Sequence, residues 1–256
     1  MTGVWRAAAV LLLAAAFAPA AAGAQTLSIA AASDLQPVLP EIAKRFEQAR
    51  GRQVRVTFGS SGNFFAQIRS GAPFDVFLSA DIDYPRQLEK AGLAERGTLT
   101  RYALGRLVVW ARRGSAVKAG VLSGLAAPAV RKIAIANPDH APYGRAAVAA
   151  LRHAGVYERV RTRLVFGENV SQAAQFVQSG NADVGLLPLS LARSPALMGA
   201  GAFVEVPAAA HPPIEQGAIV TLRARDKAAA RAFVLFLTMP EIARLLRASG
   251  FEVPAP

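Results

Sequence analysis

Residues 53–63 read QVRVTFGSSGN, and this stretch sets the pattern for the whole chain. Its first part, Gln53–Phe58, alternates polar and apolar residues, which predicts a half-buried strand. Its second part, Gly59–Asn63, is a small, hydroxyl-rich turn without a charged residue, and the helix-like segment Phe64–Ser70 follows it. Backbone N–H groups and the positive end of a helix dipole make such a turn suitable for holding an anion.

Three further turns have the same character and the same place between a strand-like run and a helix-like run. They are Ala32-Ser33-Asp34, Ala141-Pro142-Tyr143-Gly144 and Gly167-Glu168-Asn169-Val170-Ser171. None of the four turns contains Lys or Arg, although the chain carries a formal net charge of +12. The pattern therefore predicts an oxyanion site that is built from uncharged donors.

Strand-like and helix-like runs alternate along the chain, which predicts an α/β fold with mostly parallel sheets. The first strand is expected at Leu27–Ala31, and Ser33 is a candidate N-cap for a helix over Leu35–Arg50. Further strands are predicted at Asp75–Leu78, Leu107–Ala111, Lys132–Ala136, Arg163–Phe166, Asp183–Leu187 and Ala218–Leu222. Further helices are predicted at Tyr84–Ala91, Arg145–His153, Ser171–Gln178 and Lys227–Ser249, the last interrupted near Pro240.

A weak internal sequence repeat divides the chain into two similar halves. Ala66–Val76 contains Ala-Gln, then Ser-Gly, then Asp-Val, and Ala174–Val184 contains the same dipeptides in the same order. Two lobes built on this plan would face each other and bring the four turns into one cleft.

The first 24 residues have the composition of an export signal. A basic start, Met1–Arg6, precedes the apolar stretch Ala7–Phe17, and Ala22-Gly23-Ala24 is a small-residue cleavage motif. The apolar stretch is too short to cross a bilayer, which takes about 20 residues. We therefore expect residues 1–24 to be a cleaved signal peptide and the mature protein to be periplasmic.

Composition excludes several classes of site. The chain has no cysteine, so disulfides, thiolate metal sites and a cysteine nucleophile are ruled out. Its three histidines, His140, His153 and His211, lack metal-ligand spacing. Arginines are dispersed over helix-like stretches without interleaved aromatic residues, which argues against nucleic-acid binding. We expect neither a resident metal nor a cofactor.

Two alternatives remain open at this level. Neutral N–H and hydroxyl donors would also serve a receptor for another anion, such as sulfate or an organic anion. A secreted Ser–His hydrolase is conceivable because His140 lies beside the Tyr143 turn, although Gly59-Ser60-Ser61-Gly62 is not the G-x-S-x-G nucleophile motif.

The ordered set of motifs resembles one family over essentially the whole mature chain, the periplasmic molybdate-binding proteins of ABC transporters. The motifs are Ala31-Ala32-Ser33, Phe58–Gly62, Gly71–Ala80, Asn137–Gly144 and Gly167–Val170. The resemblance implies a non-enzymatic receptor, acting as a monomer, that captures molybdate or tungstate and delivers it to an inner-membrane permease. Molybdenum would be present only as the bound oxyanion, without a direct protein ligand.

The resemblance also implies a type II periplasmic-binding-protein fold, with two α/β lobes joined by two crossover segments. Lobe I would comprise residues 25–107 and 216–256, and lobe II residues 108–215. The oxyanion donors implied by position are Ser33, Ser61, Tyr143 and Val170, with Asp34 contributing through its main chain.

One position departs from the family pattern. Several members have a ligand-contacting Tyr after a strand of the second lobe, where this chain has Pro188. Proline has neither an N–H nor a hydroxyl group, so that contact is lost or replaced. Ser190 is the nearest candidate replacement.

Overall fold

The computed structural model describes residues 26–253, so the predicted signal peptide lies outside the described residues. Within that range, no helix combines the length and the hydropathy that a membrane span requires. The strands are β1 (Leu27–Ala32), β2 (Val54–Gly59), β3 (Val76–Ser79), β4 (Thr100–Gly105), β5 (Leu107–Arg112), β6 (Ile133–Ala136), β7 (Leu164–Gly167), β8 (Val184–Pro188), β9 (Gly201–Glu205) and β10 (Ile214–Val220). The helices are α1 (Leu39–Arg50), α2 (Ser61–Arg69), α3 (Asp83–Lys90), α4 (Pro142–His153), α5 (Tyr157–Val160), α6 (Val170–Gln178), α7 (Leu189–Ala192), α8 (Pro195–Met198), α9 (Lys227–Phe236) and α10 (Pro240–Ala248).

The strands form two separate five-stranded sheets with the same topology. The first sheet has the order β2-β1-β3-β10-β4 and defines the first lobe; the second has the order β7-β6-β8-β5-β9 and defines the second lobe. In each sheet one strand, β10 or β5, runs antiparallel to the other four. The predicted α/β architecture is confirmed. The two repeated segments lie at equivalent places in the two lobes, α2–β3 and α6–β8.

The chain crosses between the sheets twice. It leaves the first sheet after β4 and enters the second at β5, with Arg106 between them, and it returns between β9 and β10. Arg106 forms ion pairs with Glu205 at 2.8 Å and with Glu252, so one guanidinium ties the crossover to β9 and to the C-terminal segment.

The C-terminal helices pack into the first lobe. Phe46 of α1 lies edge-on against Phe233 and Phe236 of α9, with ring centroids 5.0 and 5.5 Å apart. All three rings are buried, and such aromatic pairs add to the stability gained by burying their area. The two ends of the described chain therefore share one hydrophobic core.

Several predicted boundaries are wrong for local physical reasons. Ser33 is not the N-cap of α1: it begins a short 3-10 turn, Ser33–Leu35, and α1 starts at Leu39 with Pro40 in its first turn. Helix α2 starts at Ser61 because Ser60 caps it. Helix α4 starts at Pro142, whose missing N–H is unneeded at a helix start. Strands β4 and β9 were not predicted.

Candidate functional site

The four predicted turns converge on one pocket between the lobes. They follow β1, β2, β6 and β7, at the carboxyl ends of these strands, which is where ligands bind in open α/β folds. The pocket is lined by Ala32, Ser33, Asp34, Gly59, Ser60, Ser61 and Ala80 of the first lobe and by Ala141, Pro142, Tyr143, Asn169 and Val170 of the second.

Lys and Arg are absent from this lining, which is drawn from residues 26–253. The nearest arginine in sequence, Arg145, is turned away and pairs with Asp81 at 2.5 Å and with the Tyr84 hydroxyl at 3.1 Å. In the same part of the chain, no group of three His, Cys, Asp or Glu side chains could hold a metal ion. The pocket thus offers dipoles and hydroxyls, not cations, to a ligand.

The first lobe contributes two buried serines. The Ser61 hydroxyl accepts a hydrogen bond from the Ala80 N–H at 3.0 Å, which leaves its own hydrogen available to a ligand. The Ser33 hydroxyl donates to the Gly59 carbonyl at 3.1 Å and so ties the first two turns together. Ser33 can therefore offer an anion its backbone N–H directly, or its hydroxyl after rotation about the Cα–Cβ bond.

The second lobe contributes backbone N–H groups at two helix starts. Pro142 is the first residue of α4 and has no N–H, so Tyr143 carries the first donor of that helix. In α6, the Asn169 side chain accepts hydrogen bonds from the N–H groups of Ser171 at 2.9 Å and Gln172 at 3.1 Å. This capping leaves the N–H of Val170 unused by the Asn169 side chain and beside the pocket.

Asp34 lies in the pocket wall with its carboxyl buried. Its Oδ2 accepts a hydrogen bond from Gln216 Nε2 at 2.8 Å, while Oδ1 has no partner of regular geometry among the described residues. The Tyr143 hydroxyl faces the same carboxyl. Burial raises the pKa of Asp34 from 3.8 to about 6, and the hydroxyl of Tyr143 and the amide of Gln216 oppose that rise.

The environment of Asp34 corrects one expectation. From the sequence, the Asp34 and Glu168 carboxylates should point away from the cleft and cap helices or pair with arginines; instead Asp34 contacts neutral groups only. Gln216 also accepts from the buried Tyr102 hydroxyl at 3.2 Å. Burial and the Asp34 charge raise the pKa of both tyrosines well above its usual value, so both stay neutral.

The lobes also touch each other directly beside the pocket. The Gly62 N–H donates to the His140 carbonyl at 2.8 Å, and Ser60 Oγ lies 2.8 Å from His140 Nδ1. Asn63 donates to the Glu168 carboxylate, which lies 3.7 Å from His140 Nε2. These contacts describe a closed arrangement, in which Glu168 bridges the lobes.

Pro188 and Ser190 are both outside the pocket lining. Pro188 ends β8, and Ser190 lies in the short helix α7 that follows. The Ser190 hydroxyl donates to the main-chain carbonyl of Asp34 at 2.7 Å, in a buried position. Ser190 therefore holds the Asp34 turn in place from behind and does not replace the missing contact.

The sequence reasoning missed Gln216 and Tyr102. Glu215 and Gln216 are the two polar residues of β10, and Gln216 is the one that is fully buried. A buried amide in a strand needs partners, which marks it for a structural or functional role. Tyr102 gave no such signal, since β4 itself was not predicted.

Comparison with known proteins agrees with this geometry. Residues 27–252 match the family model described as bacterial extracellular solute-binding protein. The chain belongs to this family. It is 37% identical over 243 residues to the molybdate-binding protein ModA of Azotobacter vinelandii, covering 94% of this chain and 96% of that protein. It is 37% identical over 235 residues to ModA of Rhodobacter capsulatus, covering 91% and 90%.

Among solved structures, the periplasmic molybdate-binding protein of Azotobacter vinelandii superposes with a TM-score of 0.82. The two are 34% identical, and the match covers 90% of this chain and 100% of that one. The two-lobe periplasmic-binding-protein fold expected from the sequence motifs is therefore confirmed. The relatives carry solute-binding names, and none of those named here is described as an enzyme.

Proposed function

We propose that this chain is the periplasmic receptor for molybdate, and for tungstate, of an ABC transporter, and that it hands the oxyanion to an inner-membrane permease. It acts as a monomer after removal of residues 1–24. One observation carries the proposal: four cation-free turns, two from each lobe, meet in a single buried pocket. The names of the relatives support the choice of anion.

The proposed donors are Ser33 and Ser61 from the first lobe and the N–H groups of Tyr143 and Val170 from the second. The main-chain N–H of Asp34 is a fifth donor. The corresponding units are residues 25–107 with 216–256, and residues 108–215. Molybdenum is bound through its oxygen atoms alone.

Neutral donors are sufficient for tight binding. A hydrogen bond to a charged group contributes about 1.5–3 kcal/mol, and a helix start adds about 0.3–1 kcal/mol. Several such bonds exceed the roughly 8 kcal/mol of micromolar affinity, even after the costs of ordering and desolvation. Because no cation holds the anion, opening of the lobes is enough to release it.

Selection against sulfate follows from size, since sulfate has the same charge and shape. The lobes close until the Gly62 N–H meets the His140 carbonyl, which fixes how near the two sets of donors can come. A smaller tetrahedral anion cannot reach both sets at full hydrogen-bond length. The size of the anion therefore distinguishes molybdate from sulfate, whereas its charge does not.

Isothermal titration calorimetry of the purified protein with molybdate, tungstate, sulfate and phosphate tests the proposal. We expect saturable one-to-one binding of molybdate and tungstate and much weaker binding of sulfate and phosphate. Tight sulfate binding without a molybdate signal would reject the molybdate assignment. Ester hydrolysis that is abolished by Ser61→Ala would instead favour the hydrolase alternative.

A further inference from the structure

Asp34 is an unusual component for a pocket that receives an anion. A carboxylate beside a bound oxyanion repels it, and this carboxyl is buried with Oδ1 unpartnered. It is nevertheless held firmly, through Gln216 on its side chain and Ser190 on its main chain. The surrounding residues therefore hold this acid in a fixed position, and its charge affects the binding of an anion.

The second lobe contributes to the burial of the acid. Asp34 belongs to the first lobe, whereas Tyr143 and Ser190, which cover it, lie on α4 and α7 of the second lobe. Separation of the lobes would return the carboxyl to water, where the ionised form is favoured at neutral pH. Closing over a dianion removes that water and places two like charges together, and both effects favour the protonated acid.

Among residues 26–253, no charged side chain offsets the charge of the Asp34 carboxyl. The groups that face the carboxyl are Gln216 from β10, Tyr143 from α4 and, by way of Gln216, Tyr102 from β4; Ser190 from α7 donates to the main-chain carbonyl of the same residue. The two tyrosines are neutral, and α6, packed on the same turn, carries no ionisable residue. Only a proton can therefore neutralise Asp34 when an oxyanion enters.

We propose that oxyanion capture by this chain is coupled to the uptake of one proton by the Asp34 side chain. This inference rests on the proposed function and extends it, because Asp34 then makes affinity depend on pH. A protonated carboxyl also supplies an O–H donor, so the acid changes from a repulsive neighbour into one more neutral donor.

The test is calorimetry with molybdate between about pH 6 and pH 8.5, in buffers of different ionisation enthalpy, which counts the protons exchanged. We expect the wild-type protein to take up as much as about one proton per anion. We also expect its affinity to fall by as much as about tenfold per pH unit where the uptake is complete. The variant Asp34→Asn, an isosteric mimic of the neutral acid, should bind molybdate without this uptake and at least as tightly near pH 8.

His140 is an ionisable side chain at the contact between the lobes, so His140→Gln is the matched control and should retain the proton uptake. Thermal unfolding of each variant checks that the fold is kept. Wild-type binding without proton uptake, or equal uptake in Asp34→Asn, would overturn the inference while leaving the receptor function intact. A wild-type protein that binds no oxyanion at any pH would instead reject the proposed function.

Discussion

At the scale of single residues, the two serines test whether the turns bind a ligand or only cap and brace the structure. Ser33→Ala and Ser61→Ala should each weaken molybdate binding by about 1–3 kcal/mol. The first removes a hydroxyl that ties the Gly59 turn in place and can rotate toward the anion, and the second removes a hydroxyl that is free to donate to it. Titration calorimetry measures the loss. Unchanged affinity in both variants would mean that these hydroxyls serve only their contacts with Gly59 and Ala80.

A second residue-scale prediction concerns Gly105, which makes room for the Tyr143 hydroxyl. A Cβ at position 105 would stand 2.1 Å from that oxygen, so Gly105→Ala must displace the tyrosine. We expect a loss of about 1–3 kcal/mol in the free energy of unfolding, from overpacking, and weaker molybdate binding. Urea unfolding and calorimetry measure the two. Gly120→Ala, whose Cβ would meet nothing within 4 Å, is the control, and equal effects in both variants would contradict the steric argument.

The third residue-scale prediction is the pH dependence of stability. Because the pKa of Asp34 is raised from 3.8 to about 6 in the closed, folded protein, this state binds more protons than the unfolded state between these values. The free energy of unfolding should therefore fall as pH rises through this window, by as much as about 3 kcal/mol from this group. Urea unfolding should show that the free energy of unfolding of Asp34→Asn, relative to that of the wild type, increases as pH rises through the same window. A difference between the two proteins that stays constant with pH would refute the assignment.

At the scale of elements, the sequence predicted best that a helix follows each of these turns. It predicted least well the residue at which each helix begins. The turns before α2, α4 and α6 were recognised because Gly, Pro, Ser and Asn have specific uses at helix starts. The first residues of α2 and α6 depend on the side chains that cap them, Ser60 and Asn169, whereas α4 starts at Pro142 without a side-chain cap. Ser60 is in turn positioned by a contact across the cleft with His140.

The cap of α6 gives the element-scale prediction. Asn169→Ala removes two capping hydrogen bonds and should lower the free energy of unfolding by about 1 kcal/mol. It should also weaken molybdate binding, because the Val170 N–H loses its fixed direction. Asp226→Ala is the control: it uncaps α9 and breaks the ion pair with Arg52, both far from the pocket in the first lobe. Calorimetry that shows equal loss of affinity in the two variants would contradict a local role for Asn169.

At the scale of the whole molecule, the sequence specified the two lobes but not the last strand of each sheet. Strands β4 and β9 pair with β10 and β5, from distant parts of the chain, and their own residues show no clear alternation. The buried contact between Tyr102 and Gln216 spans 114 positions. Local sequence patterns carry no information about such partners. The hydrogen bonds around the Asp34 carboxyl could therefore be identified only in the three-dimensional structure.

Contacts between the lobes outside the pocket lead to the last prediction. Asn63 of α2 and Glu168 of the second lobe are joined only when the lobes are closed, so their hydrogen bond stabilises the closed form and not the anion itself. Glu168→Ala should lower the affinity for molybdate and for tungstate by the same factor, about two- to tenfold. Asn63→Ala should do the same, and the double variant should lose little more than either single one. Glu158→Ala, which breaks an exposed ion pair with Arg161, is the control and should bind as the wild type does. A changed ratio of molybdate to tungstate affinity, measured by calorimetry, would show that Glu168 acts on the pocket itself and would contradict its role in closure.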